Sequence, residues 1–280
     1  MKIAHLIFVH NRPNQAERLI KKLISERADI YIHVDKKSNI NQFDFSELQS
    51  KIYFIKNRVA MNWGNYSMVK AMVNSLEEIL QTGVNYSHIN LLSGQDYPLQ
   101  PVEKLESFLL ENKGKTFMRY LLIPNEWNNA AERLIRYNLG DWKLPGKYKI
   151  QHFINRYFPE RKFPKHLQPY GGSAWFIITP ECTRYVLDYL RDNPKLTSFI
   201  KYIWAVDEIV FQTVLVNSPH KDTIVNENLR YIHFKGESPH PTVFTKQDAE
   251  TLLQSGKFFA RKFCLQVDSE ILDYLDAKMN

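Results

Sequence analysis

The stretch from Lys2 to Ser38, KIAHLIFVHNRPNQAERLIKKLISERADIYIHVDKKS, decides the fold class. Lys2–Val9 is apolar and β-branched apart from two histidines nearby, and reads as a buried strand. Pro13–Glu26 reads as a helix, and Asp29–Val34 as a second strand of the same apolar kind. A strand, a helix and a strand in so short a span form a parallel crossover unit. The alternation continues outward. Lys51–Ile55 reads as a strand, and Tyr66–Gln81 as an amphipathic helix with Met68, Met72, Leu76, Ile79 and Leu80 near one face. His88–Leu92 follows as a strand and Val102–Glu111 as a helix. The expectation is an α/β fold, with a mostly parallel central sheet covered by helices on both faces.

The second half is less regular. Pro124–Tyr170 carries Trp127, Trp142, many cations and prolines at 145, 159, 164 and 169, and reads as helical or loop excursions over the sheet. Ala174–Thr179 is strand-like, and Pro180–Arg191 is a helix with proline in its first turn. Asp207–Asn217 and Lys246–Ser255 read as helices, with a strand at Leu229–Phe234 between them. No repeat or low-complexity segment breaks the chain, so residues 1–280 read as one domain.

Composition narrows the function. The 280 residues are 44% hydrophobic and 24% charged, which excludes disordered, collagen-like and coiled-coil classes. No run of eighteen apolar residues is present, so no membrane span is expected. Cys182 and Cys264 have no metal-ligand spacing and make no disulfide framework, which suits a reducing compartment. The net charge of +7 is moderate, and leaves nucleotide phosphates, anionic lipid and nucleic acid all open as partners. The dinucleotide, P-loop, zinc-protease, CxxC and serine-hydrolase motifs are absent. So is any Asp-x-Asp, the usual metal–diphosphate clamp of nucleotide-sugar enzymes.

Ligands in parallel α/β sheets bind beyond the carboxyl ends of the strands. His10-Asn11-Arg12 follows the first strand, Asp35-Lys36-Lys37-Ser38 the second, and Ser93-Gly94-Gln95-Asp96-Tyr97-Pro98 the fourth. These clusters would converge on one edge, although each also suits an ordinary turn, with Asp96 in an Asx-turn. Asp207-Glu208 opens a predicted helix, where carboxylates favour the macrodipole. That helix would set Glu208 in line with Phe211, Gln212 and Leu215, where partial desolvation would make a base of it. In Phe258-Phe259-Ala260-Arg261-Lys262-Phe263 an extended chain turns Arg261 and Lys262 to opposite sides.

Taken in order, IFVHNRP, YIHVDKKS, WGNYSMVKAM, LLSGQDYPL, GGSAWFIITPE, AVDEIVFQT, HPTVFTKQDAETL and FFARKF resemble the core-2/I-branching β-1,6-N-acetylglucosaminyltransferase family, which includes peptide O-xylosyltransferases. The pieces run from residue 7 to 263. The resemblance implies a GT-A-type fold and inverting transfer of a sugar, N-acetylglucosamine or xylose, from a UDP-sugar to an acceptor hydroxyl of a glycan or other molecule. It implies no cofactor and no metal. The family's catalytic glutamate falls on Glu208. Its nucleotide-contacting positions fall on Val9, Asp35 and Trp63, and its diphosphate lysine on Lys262 beside Arg261. An upstream arginine of the family has no clear counterpart, and His240 is assigned that role. Acceptor contacts are placed at Asp96, Tyr231 and His233.

Animal members of that family carry a Golgi anchor and several disulfides, and this chain resembles a bacterial-type member without them. The expected setting is cytoplasmic, with peripheral contact at the inner face of a membrane, and no nucleic acid as partner. Two other readings of the residues remain, a retaining or phosphoryl-transferring α/β enzyme and a basic α/β module that binds polyanions or a membrane surface. The module predicts steep salt dependence where a transferase predicts saturable UDP binding.

Overall fold

A computed structural model describes residues 2–48, 51–236, 238 and 240–279. Its strands are β1 (Lys2–Val9), β2 (Ala28–Val34), β3 (Ile52–Phe54), β4 (Tyr86–Ser93), β5 (Asp96–Pro98) and β6 (Thr116–Phe117). They continue as β7 (Tyr120–Leu122), β8 (Tyr170–Gly172), β9 (Ile177–Ile178), β10 (Ile224–Val225), β11 (Arg230–Ile232) and β12 (Phe259–Arg261). The helices are α1 (Pro13–Leu23), α2 (Tyr66–Gln81), α3 (Val102–Glu111), α4 (Ala131–Ile135) and α5 (Lys147–Tyr157). After them come α6 (Pro180–Asp192), α7 (Pro194–Ile200), α8 (Val210–Val216), α9 (Ala249–Gln254) and α10 (Glu270–Met279).

Seven strands form the central sheet in the order β10-β6-β9-β4-β1-β2-β3. The pairs β1–β2, β1–β4, β2–β3 and β10–β6 are parallel, and only β9 runs against its neighbours. Along β1 the side chains alternate between two cores. Ala4, Leu6 and Phe8 join a cluster with the helices α2, α6 and α8, while Ile3, Ile7 and Val9 join another with α1, α3, α9 and α10. Helices therefore cover both faces, as expected. Every residue of β2 is buried, which is how a strand covered on both sides must read.

Two polar pairs are built inside the sheet. Asn90 packs against His5 at 3.1 Å and Ser75 against His33 at 2.9 Å. Burial pulls the imidazole of His5 down to about 3 and that of His33 to about 4, so both are neutral framework groups. Cys182 and Cys264 are buried and unpaired with each other. Among the described residues no helix is long and apolar enough to cross a membrane.

A second, three-stranded sheet, β11-β12-β5, places the site's cations. Its register sets Arg261 of β12 opposite Asp96 of β5 and beside Ile232 of β11.

Several expectations need correction. The first helix ends at Leu23, because Ile24 is extended. Only Ile177–Ile178 of the strand-like 174–179 segment joins a sheet, and only Arg230–Ile232 of the 229–234 segment, Phe234 forming an isolated bridge with Pro241. The 207–217 helix is two pieces, a 3-10 turn at Val206–Glu208 and α8, separated by Ile209 at φ −122. Glu208 therefore does not continue the stripe of Phe211, Gln212 and Leu215. Its position is set by the turn.

Candidate active site

The three loops after β1, β2 and β4 meet as the sheet rule requires. Asp35 N donates to Val9 O at 2.8 Å, and Gly94 N to Phe8 O at 2.9 Å. A Cβ on Gly94 would lie 2.9 Å from Val9 Cγ1, so a side chain there would push the SGQDYP loop off the first strand. Buried Gln15 fastens the arrangement to the end of the chain. Its amide donates to Gly94 O and Phe263 O at 3.0 Å each, and its carbonyl accepts from Leu265 N.

Asp35 is buried and serves the turn that holds it, accepting from Lys37 N at 2.8 Å and Met61 N at 3.4 Å. Val9 is buried at the strand end. Trp63 is 55% exposed, with its ring 5.5 Å from Trp204 and 4.7 Å from His240. Gly64 beside it is at φ +67, and its Cβ would meet Trp204 at 2.8 Å. Its carbonyl accepts from Ala205 N at 2.6 Å. The Trp-Gly pair thereby docks on the turn that carries Glu208, bringing the donor-side loop and the candidate base together.

Glu208 leaves that turn with about a third of its side chain exposed and accepts from Arg133 at 2.9 Å. Arg133 lies over two indoles, 4.8 Å from Trp127 and 4.7 Å from Trp204. Burial pushes the Glu208 carboxyl up, while the charges of Arg133 and Arg261 pull it back. The neighbouring Asp207 has a buried Oδ1 with no hydrogen-bond partner, and burial next to Glu208 raises it to about 7. Gly171 is pressed against the same turn, where a Cβ would sit 3.0 Å from Glu208 O and 2.8 Å from Trp127.

Arg261 is buried, 4.6 Å above the Trp175 ring and 3.5 Å from Asp96. Its charge reaches both Glu208 and Asp207. Lys262 lies outside β12, which ends at Arg261, so strand alternation does not govern its direction. Burial lowers the Lys262 ammonium, and the charges of Arg261 and Arg12 lower it further. Arg12, just beyond β1 with φ +57, is thus close enough for its charge to act on Lys262, whereas His240 packs on Trp63. Sequence reading passed over Arg12, although it stands in the first strand-end cluster.

Asp96 is 1% exposed and its carboxylate accepts from Ser93 N at 2.8 Å. It does not reach an acceptor; it backs Arg261. Burial raises its pKa, with Arg261 and Arg230 opposing. Tyr231 is half-buried against Phe244, and exposed His233 contacts Thr242 Oγ1 at 3.2 Å. Two concavities are lined by residues close to the Glu208 turn. One, of about 1190 Å³, is walled by Trp63, Arg133, Tyr148 and Trp204 among others. The other, of about 340 Å³, includes Trp127, Ser173, Arg230 and Ile232. Arg133 and Trp127 join the two to the candidate base. Among the described residues no group of three or more His, Cys, Asp or Glu side chains is placed to hold a metal.

The profile of the Core-2/I-Branching enzyme family matches residues 3–254. Xylosyltransferase 2 of Rattus norvegicus is 30% identical over 302 residues, which cover 99% of this chain and 33% of the relative. Xylosyltransferase 1 of the same organism is 29% identical over 303 residues, covering 99% and 35%. The chain spans about a third of the length of the curated relatives it matches. Among solved structures, mouse xyloside xylosyltransferase 1 aligns with a TM-score of 0.41 at 9% identity, covering 94% of this chain and 98% of that one.

Proposed function

The chain belongs to the Core-2/I-Branching enzyme family, and on that premise we propose that it is a glycosyltransferase of GT-A type acting as one domain, residues 1–280. The donor is a UDP-sugar carrying N-acetylglucosamine or xylose, and the acceptor a hydroxyl of a glycan or similar molecule. The observation that carries this reading is Glu208 itself. It is a partly exposed carboxylate, raised by burial and held by Arg133, which itself lines the larger concavity.

In the proposed step the acceptor O–H gives its proton to Glu208 as the oxygen attacks the anomeric carbon. The bond from that carbon to the diphosphate breaks on the opposite face, and the departing UDP takes the electron pair, so configuration inverts. The negative charge that develops on the diphosphate needs fixed positive partners. Lys262 and Arg12 supply them near the ends of β12 and β1, with Arg261 held behind by Asp96. These cations support a transfer without a divalent ion. Val9, Asp35 and Trp63 shape the uridine side, and Tyr231 and His233 are assigned to the acceptor side.

The test is turnover across a panel of UDP-sugars, together with UDP calorimetry. Glu208→Gln should keep UDP affinity and lose at least about a hundredfold in turnover. Equal turnover in the variant would remove Glu208 from the chemistry, and absence of any UDP response in the wild type would remove the nucleotide-sugar reading.

A further inference from the structure

Helix α5 is, among the described residues, the one α-helix that buries no side chain. Its inner face, Tyr148, Gln151, His152 and Asn155, follows helical spacing and walls the larger cleft. Phe153 and Tyr157, four residues apart, turn elsewhere, and Phe158 follows directly. These three side chains are 55%, 65% and 58% exposed. Their rings cluster, with Phe153 at 4.9 Å from Tyr157 and 6.4 Å from Phe158. Seven of the twelve large hydrophobic side chains exposed among the described residues lie within 142–158, so the patch is a local concentration.

Charge is concentrated in the same place. Residues 142–166 hold seven lysines and arginines against Glu160 alone, a net +6 in a chain whose total is +7. Arg161 is buried, but Lys143, Lys149, Arg156, Lys162 and Lys165 are exposed. Exposed aromatics interleaved with solvated cations on a short surface helix match an anionic bilayer, with rings entering the headgroup layer and ammonium groups at the phosphates. A second copy of the chain would set +6 against +6. The clustered rings are tilted onto one another by 46° and 64°, which leaves no open parallel faces for nucleic-acid bases.

We propose that the outer face of α5, through Phe153, Tyr157 and Phe158 with the surrounding cations, docks on an anionic lipid surface. Because the inner face of the same helix walls the cleft, the bilayer would lie beside the cleft. This docking goes beyond the transferase reading and stands without it.

The experiment is flotation with phosphatidylcholine vesicles containing about a third phosphatidylglycerol, against phosphatidylcholine alone, with no sugar nucleotide present. The wild type should bind the anionic vesicles and release as salt is raised. Phe153→Ser combined with Tyr157→Ser should weaken partitioning by about tenfold or more, at an unchanged melting temperature. Lys149→Glu with Lys162→Glu provides a second variant that leaves the rings in place, and should weaken it similarly. Failure of the wild type to float, or flotation of both double variants equal to that of the wild type, would overturn the proposal. A wild-type dimer that the Phe153/Tyr157 variant turns into a monomer would assign the face to a second copy. Loss of single-stranded RNA binding in that variant, with no vesicle binding by the wild type, would assign it to nucleic acid.

Discussion

At two places in this molecule an arginine lying on tryptophan faces a carboxylate, and the two differ in what surrounds them. Arg261, over Trp175, meets Asp96 with side-chain exposures of 10% and 0%. Arg133, between Trp127 and Trp204, holds Glu208 with exposures of 19% and 33%. Strand register seals the first pair inside the three-stranded sheet. The second hangs from a five-residue helix and a 3-10 turn at the lip of a cleft. A sealed carboxylate can only orient its arginine, whereas an open one can meet a substrate hydroxyl. The same pairing thus yields a structural element in one place and, in the proposed mechanism, a reactive one in the other.

The sharpest way to break this contrast is to remove charge from the sealed pair. Asp96→Asn leaves Arg261 and Arg230 buried around a neutral group, although Arg230 still donates to Asn90 Oδ1 and Leu91 O. Loss of one partner from a buried ion pair costs about 3 kcal/mol or more. Chemical denaturation should show that loss, and turnover should fall with it. Glu208→Gln should cost less than about 1 kcal/mol of stability, in keeping with its open position. Equal midpoints for Asp96→Asn and wild type would show that the first pair is not sealed in any energetic sense.

The contrast also shows what a sequence can and cannot disclose. The parallel half was legible because its apolar runs and helical spacings are local, and Tyr66–Gln81 and Val102–Glu111 fall at their expected bounds. The convergence of the loops after Val9, Val34 and Ser93 follows from topology alone. Burial of Asp96 was not legible, because it depends on pairing with β12 more than 160 residues away. Arg133 was passed over for the same reason, standing in a stretch whose residues match no motif until it folds against Trp204. Arg12 was visible as part of a cluster, but its nearness to Lys262 joins the two ends of the chain.

A second prediction separates the adjacent cations by the same logic. Among the described residues the Lys262 ammonium donates to no side chain or carbonyl, so Lys262→Ala should leave stability within about 1 kcal/mol. It should still lower turnover by roughly a hundredfold, the usual cost of one preorganised charge partner. Arg261→Ala should lose stability as well as turnover, because it strips Asp96 of its partner. Excess EDTA should leave wild-type transfer intact. Loss of activity in EDTA with rescue by manganese would give the leaving-group charge to a metal, and the Lys262 variant would then read as a minor contact.

The smallest expected effect concerns the open pair, and its signature is a displaced pH profile. Burial raises the Glu208 carboxyl and Arg133 opposes that rise. Arg133→Ala removes the opposing charge, so the carboxyl should hold its proton to higher pH than in the wild type. A base works only when deprotonated, so the acidic limb of kcat must move upward in pH. On the acidic limb, below both pKa values, the loss should be about tenfold, equivalent to a displacement of about one pH unit, and at more alkaline pH the variant should recover toward wild-type turnover. Arg133→Lys should return most of the limb, since the charge is restored even though the planar stack on Trp127 and Trp204 is not. A uniform fall in kcat with the limb unmoved would mean that Arg133 binds substrate directly. The open pair would then be open on both sides, and the tuning of Glu208 would rest on burial alone.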